Sequence, residues 1–292
     1  MRRYQKIWIA IFLAPSIILF LMIYLYPILT VIISSFTKWN GMGKMVYAGL
    51  SNYKELFLID GDFKQALINT LIWAVLQGFV HVPIGVTVAL VLAKKPFGWR
   101  LARTSFIFPN IISASAWALI YMFIFNPGAG LLNGFIRFLG FKDFTINWFF
   151  DPRTAFFAVT CTWLFYAAVI TLITMAELSS ISPSIYEAAR IDGASPLQID
   201  LLINLPLLKN VIGTGMIIAI TSMFGNFNLI YMTTRGGPGN LTTNLPLLVF
   251  DNFSTLFRFG YANAIGTVLL VLGVLSISMV TFFMKMNSSA QE

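Results

Sequence analysis

Polar and apolar positions do not alternate with a helical or strand period along most of this chain; they come in blocks. Six stretches contain no charged residue: Ile7 to Thr37, Gln65 to Ala93, Thr104 to Ile136, Thr154 to Ala176, Asn210 to Thr234 and Phe259 to Met284. Each supplies the ~20 residues that cross ~30 Å of hydrocarbon as a helix, some with polar flanks to spare. The blocks predict an all-α polytopic membrane protein with six transmembrane helices, over about 7–36, 66–93, 104–125, 155–176, 208–231 and 262–284. Together they make a single transmembrane domain spanning 1–292, with a polar loop at 177–207. Pro15, Pro27 and Pro83 are expected at kinks or helix ends, because proline has no N–H to give to the preceding turn. The first block is far longer than a signal-peptide core and no small-residue cleavage site follows it, so it reads as an uncleaved anchor.

Composition fixes the solvent. Hydrophobic residues make up 58% and charged residues 10%, against about 45–50% and about 25% in soluble domains. The net charge of +8 has no soluble basic face to carry it, so anionic lipid headgroups account for it better than nucleic acid does. A lone cysteine, Cys161, excludes an intrachain disulfide. Orientation follows from the short basic segments: Arg2, Arg3 and Lys6 at one end, and Lys94, Lys95, Arg100 and Arg103 after the second block, mark the cytoplasmic side. Six spans then place both termini in the cytoplasm, together with the loop 177–207.

That loop contains IYEAARIDGASPLQIDLLINLP, Ile185 to Pro206, the longest stretch between the apolar blocks to concentrate both signs of charge. Burying Glu187, Arg190, Asp192 and Asp200 at the bilayer centre would cost roughly 10 kcal/mol or more, so the segment lies outside it. Its local code is helix, turn, helix. Ser182 and Pro183 suit an N-cap and first helical position, while Ser184 with Glu187 offers a competing capping box one turn later. Gly193 supplies a left-handed end, and Ser195, Pro196 and Gln198 open a second helix. Ile185, Ala188, Ala189 and Asp192 share a face that lets another backbone approach closely. Leu197, Leu201 and Leu205 form a stripe expected to pack back on the spans. By patterning alone the loop is equally well a capped connection with no partner.

Glu187-Ala188-Ala189, Gly193 three residues on, then Ile203, Leu205 and Pro206 after nine more, match the EAA-x3-G-x9-I-x-LP signature. On these residues the chain resembles the permease subunits of binding-protein-dependent ABC importers. Phe125-Asn126-Pro127 with Gly130 and Asn133, Asn226-Phe227, Gly236-Gly237-Pro238 and Phe259-Gly260-Tyr261-Ala262 extend the likeness to the carbohydrate-uptake branch, similar to maltose-type and glycerol-3-phosphate-type permeases. One departure is visible: the proline such permeases usually carry five residues before the signature Glu is Ser182 here, with Pro183 one place later.

The resemblance implies the minimal type I ABC importer permease fold in a prokaryotic cytoplasmic membrane. It implies a coupling helix, carrying Tyr186, Glu187, Ala188, Ala189, Asp192 and Gly193, docked on a separate ATPase. The implied partners are two ATPase subunits, a homologous second permease and an extracytoplasmic sugar-binding protein, working by alternating access. No G-x-x-x-x-G-K-[ST] loop occurs in the chain, so ATP and Mg are expected on the partner ATPases and no cofactor on this subunit.

Polar and aromatic residues inside the spans are candidates for a substrate path, because uncompensated polar groups avoid lipid. Trp163 and Tyr166 in the fourth block, and Ser222, Met223, Asn226 and Asn228 in the fifth, are such a set: amides bond sugar hydroxyls and rings cover the apolar face of a pyranose. Interhelical packing explains the same residues. His81, Asn69 and Gln77 read first as hydrogen-bonded structural groups, since no intramembrane Asp, Glu, Lys or Arg accompanies them. A secondary transporter or channel for a small polar solute is the alternative function. An enzyme lacks any nucleophile or metal constellation in the sequence.

Overall fold

A computed structural model describes residues 2–286; the side chains of Arg2, Arg3 and Lys6, used above for orientation, fall outside the described set. Helices dominate, and the exception is a hairpin of two-residue strands, Thr37–Lys38 paired antiparallel with Val46–Tyr47. Among the described residues three helices are long and apolar enough to cross a membrane unaided: Ile11–Ser34, Gly61–Ala93 and Phe259–Met284. Three bent pairs raise the number to as many as six: Trp99–Ile111 with Ala114–Ile124, Ala168–Ser180 with Pro183–Ile191, and Pro196–Leu207 with Lys209–Met223. The bends are 109°, 75° and 69°.

The bends have local causes. In the third apolar block the chain does not run straight from 104 to 125. Pro109 lies in a tight turn at Phe108–Ile111, and the Ser113 side chain then accepts from the Ala116 N–H to start the next helix in a new direction. The fourth and fifth blocks are interrupted too: Ala155–Cys161 and Ala168–Ser180 are separate helices, as are Lys209–Met223 and Asn228–Thr233.

Pro15 lies inside Arg2–Phe20, and Pro27 and Pro83 lie inside Ile11–Ser34 and Gly61–Ala93, so none of the three marks the end of a span. Pro27 and Pro83 do not end their helices, whereas Pro206 lies one residue before Pro196–Leu207 ends; each follows a single wider π-helical turn, at Leu21–Leu25, Gln77–His81 and Asp200–Asn204. The residue four before each proline lies in that turn, where the pyrrolidine ring would otherwise collide with its carbonyl. Widening the turn relieves the collision and lets the helix continue.

The chain divides into two compact units, Met1–Phe63 with Leu248–Val271, and Lys64–Leu247 with Leu272–Glu292. In the first, Asn52 donates to the carbonyls of Ser35 and Thr37 at 2.7 and 3.0 Å, Asn263 donates to the Ser34 hydroxyl, and the Tyr261 hydroxyl bonds Asp60. Arg258 pairs with Glu55 at 2.7 Å, with both side chains about two-fifths exposed, so the pair contributes at most about 1 kcal/mol.

The second unit holds the candidate site. Its core is aromatic: Trp73 stacks on Phe156 at 4.9 Å and donates from its indole to Thr160. Asn133 is a hub, donating to the carbonyls of Pro127 and Ile146 and accepting from the Trp148 indole. Asn69 donates to the carbonyls of Leu241 and Thr243, tying the loop around Gly236 to the second span. Lower on that span, Gly85 lies against Ala168–Ser180 and its carbonyl accepts from the Thr171 hydroxyl. A Cβ at Gly85 would sit 2.7 Å from the Ile170 Cβ. Gly85→Val is therefore expected to destabilise the chain by about 1–3 kcal/mol through overpacking, read as a lowered unfolding temperature in detergent.

Candidate functional site

Pro183–Ile191 is the helix that carries the signature. It starts at Pro183, resolving the two capping options in favour of the first, although the Ser182 hydroxyl bonds Ser184 rather than the helix backbone. It ends in a Schellman motif: the Gly193 N–H reaches the Arg190 carbonyl at 3.1 Å and the Ala194 N–H reaches Ala189 at 2.9 Å. Gly193 has φ +76°, a backbone region closed to most side chains. Ser195 and Gln198 then close a full capping box that opens the next helix.

Glu187, Ala188, Asp192 and Gly193 are exposed, Tyr186 is half-buried and Ala189 is buried. The alanines therefore do not act as one face: Ala189 packs inward and Ala188 outward. Ile191, 86% exposed, stands beside Asp192 as a bare apolar group that the signature did not single out.

The second helix also corrects the pattern reading. Of the expected stripe only Leu205 packs on the spans, against the cluster around Val82 and Ile170; Leu197 and Leu201 are exposed, whereas Asp200, Asn204 and Leu208, four residues apart, are buried. A polar pair takes the inward face because it finds partners there: Asn204 donates to Asp200 at 2.9 Å and accepts from the Tyr186 hydroxyl at 2.8 Å, and Lys94 pairs with Asp200 at 2.5 Å.

A cleft of about 350 Å³ lies in the same unit, where the two interrupted helices face the second span. Trp163, Tyr166, Ser222 and Asn226 all line it, joined by Gln77, His81 and Trp117, which sequence reasoning did not assign to the path. Met223 is fully buried in the aromatic core, 3.9 Å from the Asn226 amide nitrogen, and Asn228 is exposed and outside the lining.

Several lining groups are already engaged. The Trp117 indole donates to the Thr162 carbonyl, the Tyr166 hydroxyl to Ile107, the Ser222 hydroxyl to Ala219, and His81 Nδ1 bonds the Leu164 carbonyl. Two are not: the Trp163 indole nitrogen and the Gln77 side-chain oxygen are buried without a hydrogen-bond partner. A buried donor or acceptor left unmade costs about 1–3 kcal/mol. Both atoms are covered by protein rather than open to the cleft that their residues line, beside the rings of Trp117 and Tyr166, whose centroids lie 5.6 Å apart. Among the described residues no group of three or more His, Cys, Asp or Glu could hold a metal.

A folded chain of long apolar helices with a signature helix bent off one span defines a polytopic permease fold. The chain belongs to the binding-protein-dependent transport system inner membrane component family, whose model matches residues 81–286. It is 33% identical over 288 residues to the probable ABC transporter permease protein YurN of Bacillus subtilis, covering 96% of this chain and 97% of that protein. It is also 33% identical to the lactose transport system permease protein LacF of Rhizobium radiobacter, with 97% and 95% covered. The crystal structure of a bacterial alginate ABC transporter, in complex with a periplasmic protein bound to alginate pentasaccharide, contains a chain of the same fold. That chain superimposes with a TM-score of 0.84 at 19% identity, over 99% of this chain and 98% of that one. The protein is thus an integral membrane permease subunit of a binding-protein-dependent transport system.

Proposed function

We propose that this subunit forms half of the pathway of an ATP-driven importer of sugars, an oligosaccharide or a sugar derivative, in a prokaryotic cytoplasmic membrane. The observation that carries the sugar reading is the cleft itself, lined together by amides and aromatic side chains: Gln77, Asn226, Trp117, Trp163 and Tyr166. A sugar hydroxyl both donates and accepts, so it suits a cleft that offers amides from Asn226 and Gln77, while Trp117 and Tyr166 offer ring faces. The names of the relatives point to the same solute class.

In this reading the six spans carry both termini and the loop 177–207 on the cytoplasmic side. Pro183–Ile191 is the coupling helix, its exposed Glu187, Ala188, Ile191 and Asp192 docking into a separate ATPase subunit. ATP and Mg are bound and turned over there, and this chain does no chemistry. A second permease subunit completes the pathway and an extracytoplasmic binding protein delivers the sugar. ATP binding draws the two ATPases together, the coupling helices follow as rigid bodies, and the spans pass from inward-facing to outward-facing; hydrolysis resets them.

The test is ATPase activity of the assembled complex with its binding protein across a panel of lactose, other disaccharides and alginate oligosaccharides. Stimulation by a sugar at least severalfold above an amino-acid panel is expected. Stimulation by amino acids and by no sugar would refute the solute class.

A further inference from the structure

Asp200 is buried between a group on the second span, far away in sequence, and a group four residues on in its own helix. Its Oδ2 pairs with the Lys94 ammonium at 2.5 Å, across 106 residues, and its Oδ1 accepts from the Asn204 amide at 2.9 Å. Asn204 in turn accepts from the Tyr186 hydroxyl at 2.8 Å. Lys94 caps the end of the second-span helix, Asp200 and Asn204 occupy the wide turn before Pro206, and Tyr186 sits one residue before Glu187. Three polar bonds in series therefore join the signature helix, through its neighbour, to the second span.

Covalent connection does not do this. The chain itself links the signature helix to Ala168–Ser180 and the following helix to Lys209–Met223, but it links neither to the second span. Nearest Lys94 the second span otherwise makes apolar contact, Ala89 with Leu178 and Leu208, and its bond from the Thr171 hydroxyl lies farther along, at Gly85. Apolar contact is non-directional and permits sliding, whereas hydrogen bonds fix donor and acceptor to within a few tenths of an ångström. Burial, and after it the Asp200 charge, push the Tyr186 hydroxyl above its usual titration range, so it remains a donor.

We infer that Lys94, Asp200, Asn204 and Tyr186 form a polar linkage that transfers movement of the signature helix to the second span, making Asp200 the positioning residue at its centre. The inference rests on the coupling role proposed above. Its destination is the cleft: Gln77 and His81 lie on the same continuous helix, Gly61–Ala93, about 25 Å and about 20 Å from Lys94 at 1.5 Å per residue. A push or pull at Lys94 is thereby delivered to two cleft-lining side chains.

The test uses the complete complex in proteoliposomes, with whichever panel sugar stimulates the wild type, and measures sugar transported per ATP hydrolysed. Lys94→Gln, Asp200→Asn and Tyr186→Phe are each expected to lower that ratio about fivefold, and Lys94→Gln and Asp200→Asn to do so while ATPase association stays at the wild-type level. The Lys94→Gln/Asp200→Asn double variant is expected to be no worse than the more affected single one, because one linkage is broken only once. Tyr186→Phe keeps the ring and its packing, so it reports on the linkage even where a charge variant folds poorly. An unchanged ratio in Tyr186→Phe and Asp200→Asn, or additive losses in the double variant, would overturn the inference and leave the coupling role standing. A wild-type complex that transports no sugar would instead overturn the functional reading and this inference with it.

Discussion

Gly193→Pro is expected to abolish co-purification of the ATPase subunit and, with it, ATP-driven uptake. Proline holds φ near −65°, whereas Gly193 sits at +76° and donates its N–H to the Arg190 carbonyl. The substitution removes that bond and the conformation together, so the turn that presents Ile191 and Asp192 and launches the second helix at Ser195 is lost. Glu187→Ala is the milder companion: the side chain is exposed, alanine keeps the helix, and only the charge disappears. Truncating a central docking residue costs about 2 kcal/mol or more, roughly thirtyfold in affinity. The check is pull-down of the ATPase from detergent extract beside an unaltered level of the permease. A Gly193→Pro chain that captures the ATPase at wild-type levels would contradict the docking role.

Asn226→Ala and Trp163→Phe are expected to do the reverse, leaving ATPase assembly intact and weakening uptake about tenfold at sub-saturating sugar. That is the scale of one hydrogen bond to a substrate group in a dry site. Trp163→Phe is the sharper variant. The indole nitrogen has no protein partner, so deleting it breaks no structural bond and relieves an unmet donor. A chain that becomes no less stable yet transports less well would mark that donor as made for the solute. Unchanged uptake kinetics over a wide sugar range in both variants would return these residues to helix packing.

What the chain disclosed before folding divides along physical lines. Length and absence of charge revealed the apolar blocks, because bilayer thickness is a one-dimensional constraint that a sequence displays directly. Capping was equally local, which is why Ser195, Pro196, Gln198 and Gly193 could be placed from neighbours alone. The turn at Asn133 was visible only as a motif, since its reason, an amide shared among Pro127, Ile146 and Trp148, is tertiary.

The misreadings had a common source. Leu197 and Leu201 read as an inward stripe by the rule that apolar groups face inward, yet lipid and partner subunits also accept apolar faces, and so the rule fails in a membrane complex. The signal that could have found the inward face was Asp200 and Asn204 at a spacing of four, just before a proline whose wide turn was not foreseen. Gln77 differs in kind: it reads as interhelical glue, as a lone amide in a span usually is, and its side-chain oxygen finds no partner.

The most direct measurement of the central claim is solute flux into proteoliposomes containing this chain alone, compared with the complete complex. The account predicts no sugar flux through the chain by itself, and accumulation against a gradient only when the second permease, both ATPases, the binding protein and Mg·ATP are all present. Sugar flux through the purified chain alone, down its gradient and without any ATPase, would contradict it and establish a channel or secondary transporter.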